Sequence, residues 1–309
     1  MLPELIRGPT RQVRSRVFDS ARWAGYAPRG DDIIIATYPK CGTTWMQRIV
    51  SMLVFESAAP RPIHDLSPWF DMRLFGPIEA SLARAEAQTH RRFLKSHLPF
   101  DALPVYEGVK FIHVARDGRD AAMSFHNHQS NYTPYAIERF SEVCLNDPKF
   151  GAPFTPACSD PGRYFHDWVA GDEDALGDPG ASFFHVENTY WDARDDENML
   201  LVHYADLKQD RACEMRRIAD FLGIRIREAL WPDLIEAAAF EVMKSQGEDL
   251  LPGAGNIWEG GSGRFLHKGS NGRWQEAFAK DDLERYDAKV KANFAPELAR
   301  WIEHGRLGA

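Results

Sequence analysis

Apolar residues fall along this chain in two rhythms. Four short stretches, Asp32–Thr37, Arg92–Ser96, Val109–Ala115 and Asn198–Tyr204, are largely apolar and too short for helices, so they read as strands buried on both faces. Between and after them, apolar positions recur at helical spacing over Thr44–Phe55, about Ile78–His90, Arg119–His128, Asp206–Leu222 and Ile226–Phe240. This alternation predicts an α/β fold, a central parallel sheet flanked by helices in three layers, with ligands beyond the carboxyl ends of the strands. Two stretches depart from the rhythm. Asn131–Gly162, rich in Pro, Asn and Asp, is expected to run as an irregular excursion over the site. Gln246–Gly272 holds eight glycines together with Trp258, Arg264, Phe265, His267 and Lys268, which predicts a lid that orders over an anion. A plain flexible loop also fits that composition.

The first strand runs into Thr37-Tyr38-Pro39-Lys40-Cys41-Gly42-Thr43-Thr44-Trp45 and then into a helix. Strand, tight loop and helix N-terminus make an anion site, because unpaired backbone N–H groups and the helix dipole both face the ligand. A nucleoside-triphosphatase P-loop reads G-x-x-x-x-G-K-[ST]. Aligned on Gly42, this chain has Thr37 for the first glycine and Thr43 for the lysine, and its nearest lysine is Lys40. The grip on phosphate differs, so the moving group need not be phosphoryl. Cys41 at the helix N-terminus reads either as a thiol of depressed pKa or as a small residue that fits the loop.

Four more groups carry candidate chemistry. In Phe93-Leu94-Lys95-Ser96-His97-Leu98-Pro99, strand alternation brings Lys95 and His97 to one face at a carboxyl end. A lysine neighbour discourages protonation of the histidine, as a general base requires, although a strand-end pair reaching for solvent reads the same way. In Val114–Ser124, Arg116 ends a strand and Ser124 lies on the following helix; together they offer a fork and a hydroxyl to a phosphate. A surface ion pair of Arg116 or Arg119 with Asp117 or Asp120 is the other reading. His126 and His128, two apart on that helix, do not share a face as zinc ligands would, and no metal is expected. In Asn198–Leu207 a strand places Tyr204 at the rim and Asp206 as the expected helix N-cap. Phe240, with Trp45, is placed to sandwich a purine or to fill the core.

Bulk properties narrow the class. With 309 residues and 44% hydrophobic content, the chain can bury a full core and is expected to form one domain over residues 1–309, with its lid at about 246–272. A net charge of −8 argues against nonspecific nucleic-acid binding and suits a basic pocket for one small polyanion. Four cysteines without framework spacing favour a reducing, cytoplasmic setting, and no apolar run reaches the length of a membrane span.

Taken in order, TYPKCGTTW, FLKSHLP, ARDGRDAAMS, HYADL and FLHKGSNGRW resemble the cytosolic, PAPS-dependent sulfotransferase family over about Asp31–Lys289, nearest to its bacterial branch of glycolipid and aryl sulfotransferases. The resemblance implies a P-loop-type fold and transfer of a sulfuryl group from PAPS to a small-molecule hydroxyl acceptor, releasing PAP. It implies that Lys40, Cys41, Gly42, Thr43 and Thr44 hold the 5′-phosphosulfate and that Trp45 stacks on adenine with Phe240. Arg116 and Ser124 would bind the 3′-phosphate, with Tyr204 and the late residues His267, Lys268 and Gly269 beside the nucleotide. His97 would take the acceptor's proton, and Lys95 and Lys40 would meet the moving charge in place of a metal. Trp69, Phe70, Phe125 and His126 are expected to line an acceptor pocket that suits a phenol, a sterol or a glycolipid headgroup. Two departures stand out. His267 replaces the family's usual arginine, which predicts donor affinity falling between about pH 6 and 8 unless Lys268 or Arg264 compensates. The family's dimer signature after Trp274 is missing, which leaves monomer and homodimer both open. A P-loop kinase and an inactive nucleotide-binding module are the rival readings.

Overall fold

The computed structural model describes residues 3–171 and 182–308. Its sheet is built from β2 (Ile33–Ala36), β3 (Phe93–Ser96), β5 (Lys110–Ala115) and β6 (Met199–His203), all parallel and ordered β3-β2-β5-β6. Each falls within the stretch predicted for it. Register pairs Ile33 with Phe93 on one side and with Lys110 on the other, and Ala115 with His203. The chain thus leaves β2 to build outward in both directions, and the crevice at such a reversal is where these sheets bind ligands. Near the N-terminus, β1 (Leu5–Arg7) pairs antiparallel with β4 (Val105–Tyr106), a small ribbon outside the main sheet.

Alternation divides the strand residues between two cores. Ile34, Ala36, Leu94 and Phe111 face one layer of helices, and Ile33, Ile35, Phe93, Ile112 and Val114 face the other. On the second side packs α1 (Thr43–Phe55), every residue of which from Trp45 to Leu53 is buried. That burial on both faces is the three-layer α/β arrangement expected from the apolar runs.

Several expectations need correction. The helix expected over Asp206–Leu222 is two helices, Tyr204–Gln209 and Arg211–Leu222, broken where the Asp210 carboxylate accepts the Cys213 N–H at 3.0 Å. The N-cap of the first is His203, whose Nδ1 accepts the Ala205 N–H; Asp206 instead accepts the backbone N–H groups of Arg306 and Leu307, each at 2.9 Å. Ile226–Phe240 is a 3₁₀ turn, Glu228–Leu230, followed by the helix Trp231–Ala237, and Phe240 opens a separate helix, Phe240–Ser245. The helix from Ile78 ends at Glu86. Asn131–Gly162 is not wholly irregular, because it contains the helix Pro134–Leu145, capped by the Thr133 hydroxyl, and the start of Pro161–Ala170. Within Gln246–Gly272 lie three short helices, Gly247–Leu250, Ala254–Ile257 and Gly261–Phe265.

Candidate active site

The turn after β2 is held by backbone geometry that its sequence explains. Lys40 (φ 69°) and Gly42 (φ 117°) both lie in the left-handed region, which brings the chain round to start α1 at Thr43. A Cβ on Gly42 would sit 3.0 Å from Tyr204 Cδ2, so the glycine also admits the Tyr204 ring. The Thr37 and Thr43 hydroxyls share a hydrogen bond of 2.6 Å across the turn. The first N–H groups of α1 therefore open onto a cavity of about 450 Å³, with Lys40, Gly42, Thr43, Thr44 and Trp45 in its wall.

From β3, Lys95 and His97 enter the same cavity, as strand alternation predicts. The His97 Nδ1–H donates to the Thr37 carbonyl at 2.7 Å. That bond assigns the ring proton to Nδ1 and leaves Nε2 as the basic nitrogen. Burial, then Lys95 and Lys40, hold the His97 pKa well below the ordinary value, so the ring is neutral. Its backbone N–H is fixed by Asp71, which also receives the indole N–H groups of Trp69 and Trp23 at 2.8 and 3.2 Å. Lys95 Nζ lies 3.6 Å from the Trp69 ring centroid, and burial pulls its pKa down to about 7. Lys40 is lowered to about 7 as well, by burial and then by Lys95 and Arg116. Two ammonium groups and a guanidinium thus face one cavity, an arrangement that an anion would relieve.

At the end of β5, Arg116 ties the phosphate loop to the late loop. Its guanidinium donates to the Lys40 carbonyl at 3.3 Å, the Ser270 carbonyl at 3.1 Å and Asn271 Oδ1 at 2.8 Å, and stacks 4.2 Å from the Tyr204 centroid. Arg116 is therefore not in the ion pair; Arg119 is, with the buried Asp117 and the exposed Glu303. Tyr204 packs edge-on against Trp45 at 5.2 Å, and its hydroxyl donates to the Gly269 carbonyl at 3.3 Å. Gly269 (φ 61°) lies against Phe240 so closely that a Cβ would come within 2.5 Å of Cδ2. Trp45, Ser124, Phe240, His267, Lys268 and Gly269 all line the cavity, as do Trp69 and Phe125.

Three expected site residues do not. Cys41 is fully buried, and burial together with Glu187 pushes its thiol pKa up, so it is a core residue of the loop, not an activated thiol. Phe70, beside the lining Trp69, turns the other way and packs on Trp23 at 5.1 Å. His126 faces Tyr164, with its Nε2–H donating to the Cys158 carbonyl at 2.8 Å. The histidine of that helix that enters the cavity is His128, whose signal was its spacing of four from Ser124. Tyr132, also missed, and Trp258 and Phe265, expected in the lid, complete the aromatic wall around it. His267 departs from expectation too. Burial and Arg273, Arg264, Lys268 and Lys244 lower its pKa to about 4, so in this state it has no charge to lose between pH 6 and 8. Lys40 and Lys95, each lowered to about 7, titrate in that range instead.

A phosphate loop at a sheet reversal, with cations from three strand ends and a neutral histidine beside them, defines a group-transfer enzyme of the P-loop type. Residues 30–298 match the family description "Sulfotransferase domain", and the chain belongs to that family of sulfuryl-transferring enzymes. It is 34% identical over 313 residues to a glycolipid sulfotransferase of Mycobacterium bovis, covering 96% of this chain and 94% of that one. It is 27% identical over 304 residues to sulfotransferase 1C2 of Oryctolagus cuniculus, covering 92% and 93%. Its fold is like that of mouse sulfotransferase SULT7A1 complexed with PAP, with a TM-score of 0.67 at 20% identity over 91% of this chain and 90% of that one.

Proposed function

We propose that this sulfotransferase takes its sulfuryl group from PAPS and passes it to a hydroxyl of a small acceptor, with His97 as general base. The observation that carries the reading is the bond from His97 Nδ1–H to the Thr37 carbonyl, which leaves an unprotonated Nε2 in a cavity walled by Lys40 and Lys95. The donor's 5′-phosphosulfate lies on the N–H groups of Gly42, Thr43 and Thr44 and beside Lys40. Trp45 and Phe240 hold its adenine, and Arg116, Ser124, Lys268 and Gly269 its 3′-phosphate. The residues fit such a ligand: Lys40 is depressed by cations alone beyond its burial, and the buried His267 Nδ1 has no hydrogen-bond partner.

As the acceptor oxygen closes on sulfur, its proton passes to His97 Nε2. The bond from sulfur to the bridging oxygen breaks, and its electron pair stays on the phosphate oxygen of departing PAP. Lys40 and Lys95 stabilise that charge, supplying in the protein what a metal ion supplies in a nucleoside-triphosphatase loop. Such a transfer is helped chiefly by positioning and cations, which a rigid strand-end array provides.

The acceptor we favour is a glycolipid-like amphiphile. The mycobacterial relatives are named glycolipid sulfotransferases, and the cavity's aromatic wall continues outward to Phe75, which is 56% exposed. The chain acts as one domain in the cytoplasm, with Gln246–Gly272 as its lid. A kinase would need a lysine where Thr43 stands. The test is label transfer to a panel of glycolipids, phenols and sterols from ³⁵S-labelled PAPS and from γ-³²P-labelled ATP. The proposal expects sulfur label alone, strongest on a glycolipid; phosphorus label would establish the kinase, and no label from either donor the inactive module.

A further inference from the structure

Among the polar groups of the cavity that the proposed chemistry does not use, His128 is the one that reaches Lys40. His128 stands four residues beyond Ser124 on the helix Gly118–Gln129, so both side chains leave the same helical face. Its Nδ1 lies 3.4 Å from Lys40 Nζ. The ring is caged by Trp258 at 4.9 Å, Tyr132 at 5.6 Å and Phe265 at 5.7 Å, and the Phe265 centroid is itself 4.2 Å from Lys40 Nζ. An ammonium has donors only, so Lys40 donates and His128 accepts, which puts the histidine's own proton on Nε2. Burial, followed by Lys40, Lys95 and His97, holds His128 below its usual pKa, in agreement with a neutral acceptor.

We propose that His128 is a positioning residue for sulfuryl transfer, holding the Lys40 ammonium through Nδ1 while Phe265 supports it from the late loop. Lys40 is the first side chain on a turn forced into left-handed backbone, and its flexible stem needs a fixed partner if the ammonium is to be in place when charge develops. Among the described residues no carboxylate is paired with it: the charged and titratable groups bearing on Lys40 are Lys95 and His97 from the β3 end, Arg116 from the β5 end and His128 itself. Arg264, on the late-loop helix, is directed at Asn127 Oδ1 at 3.4 Å. A neutral imidazole offers Lys40 an acceptor without a counter-charge that would compete with an anionic donor.

The inference rests on the proposed function for its kinetic consequence but not for its structural one. The variants are His128→Phe, which keeps an aromatic ring in the cage, and His128→Asn, whose Oδ1 can stand in for Nδ1. Two readouts are taken. The first is the titration of Lys40, followed by ¹⁵N NMR of lysine Nζ in the full chain without donor, assigned with Lys40→Arg. The second is kcat and KM for PAPS. His128→Phe is expected to lower the Lys40 titration midpoint by about one pH unit and to cut kcat roughly 10-fold with the PAPS KM within about 2-fold. His128→Asn is expected to restore both. An unchanged Lys40 midpoint in His128→Phe overturns the proposal, as does equal loss in both variants, or a change confined to the acceptor KM. If wild-type protein transfers nothing from PAPS, the proposed function fails while the Lys40 titration still decides the contact.

Discussion

At its proposed donor end the cavity is walled by residues standing at the carboxyl ends of three neighbouring strands, Lys40 and its loop after β2, Lys95 and His97 at β3, and Arg116 at β5. At the end proposed for the acceptor the wall is made of rings carried by helices and loops: Trp69, Phe125, Tyr132, Phe140 and Phe154. The donor end is over-determined. His97 is fixed through both its ring and its backbone, and Arg116 through three partners in two loops. The acceptor end is held mostly by ring packing, such as Tyr132 against Phe140 at 5.3 Å and Phe154 at 5.6 Å, which tolerates replacement of one shape by another. On the proposed function, the difference means that this architecture holds the donor and the reacting groups rigidly while leaving the choice of acceptor to a softer surface.

Substitutions at the two ends sharpen that contrast. The largest effect is expected from Lys40→Ala, a loss of kcat of at least ~10²-fold, measured as sulfuryl transfer at saturating PAPS. Next comes Arg116→Lys, which keeps the charge but removes the fork that reaches Lys40, Ser270 and Asn271. Calorimetric PAP affinity should fall roughly 10- to 100-fold. Gly269→Ala places a methyl against the Phe240 ring at a left-handed backbone position and should weaken PAP binding about 10-fold.

Proton linkage gives a smaller and more diagnostic signal. Lys40 and Lys95, both depressed to about 7, are ammonium below that pH and lose their protons as pH rises through it. A bound anion restores them, so PAP affinity should fall by up to about 10-fold per pH unit per lysine above pH 7, with protons taken up on binding. Calorimetry in buffers of different ionisation enthalpy measures the uptake; flat affinity from pH 7 to 9 would remove the lysines from the phosphate site. The smallest effect belongs to His126→Ala. Its contact with Cys158 costs about 1 kcal/mol of stability when lost, while acceptor KM should stay within about 2-fold.

The same contrast explains what the sequence made legible. Strand alternation has a period of two, so Lys95 and His97 had to share a face, and Arg116 had to stand at a strand end. Helix phase is less forgiving to read: counting on from Ser124 by four gives His128, but its neighbour His126, two residues earlier, points to Tyr164. Trp69 and Phe70 lie in a stretch without either period, so nothing local said which ring faces the cavity. Asp206 had the right chemistry for an N-cap, yet a distant partner, the backbone of Arg306 and Leu307, took its carboxylate. The charge on His267 differs from expectation because its four cationic neighbours gather from the late loop, the turn at Arg273 and the Phe240–Ser245 helix.

The most direct test of the central claim is to separate donor binding from catalysis with His97→Ala, measuring PAP affinity by calorimetry and sulfuryl transfer by ³⁵S label on the same preparation. His97 contributes a base and no charge, so PAP affinity should remain within about 2-fold while turnover falls at least ~10²-fold. Near-normal turnover with PAP affinity intact would contradict His97 as the base.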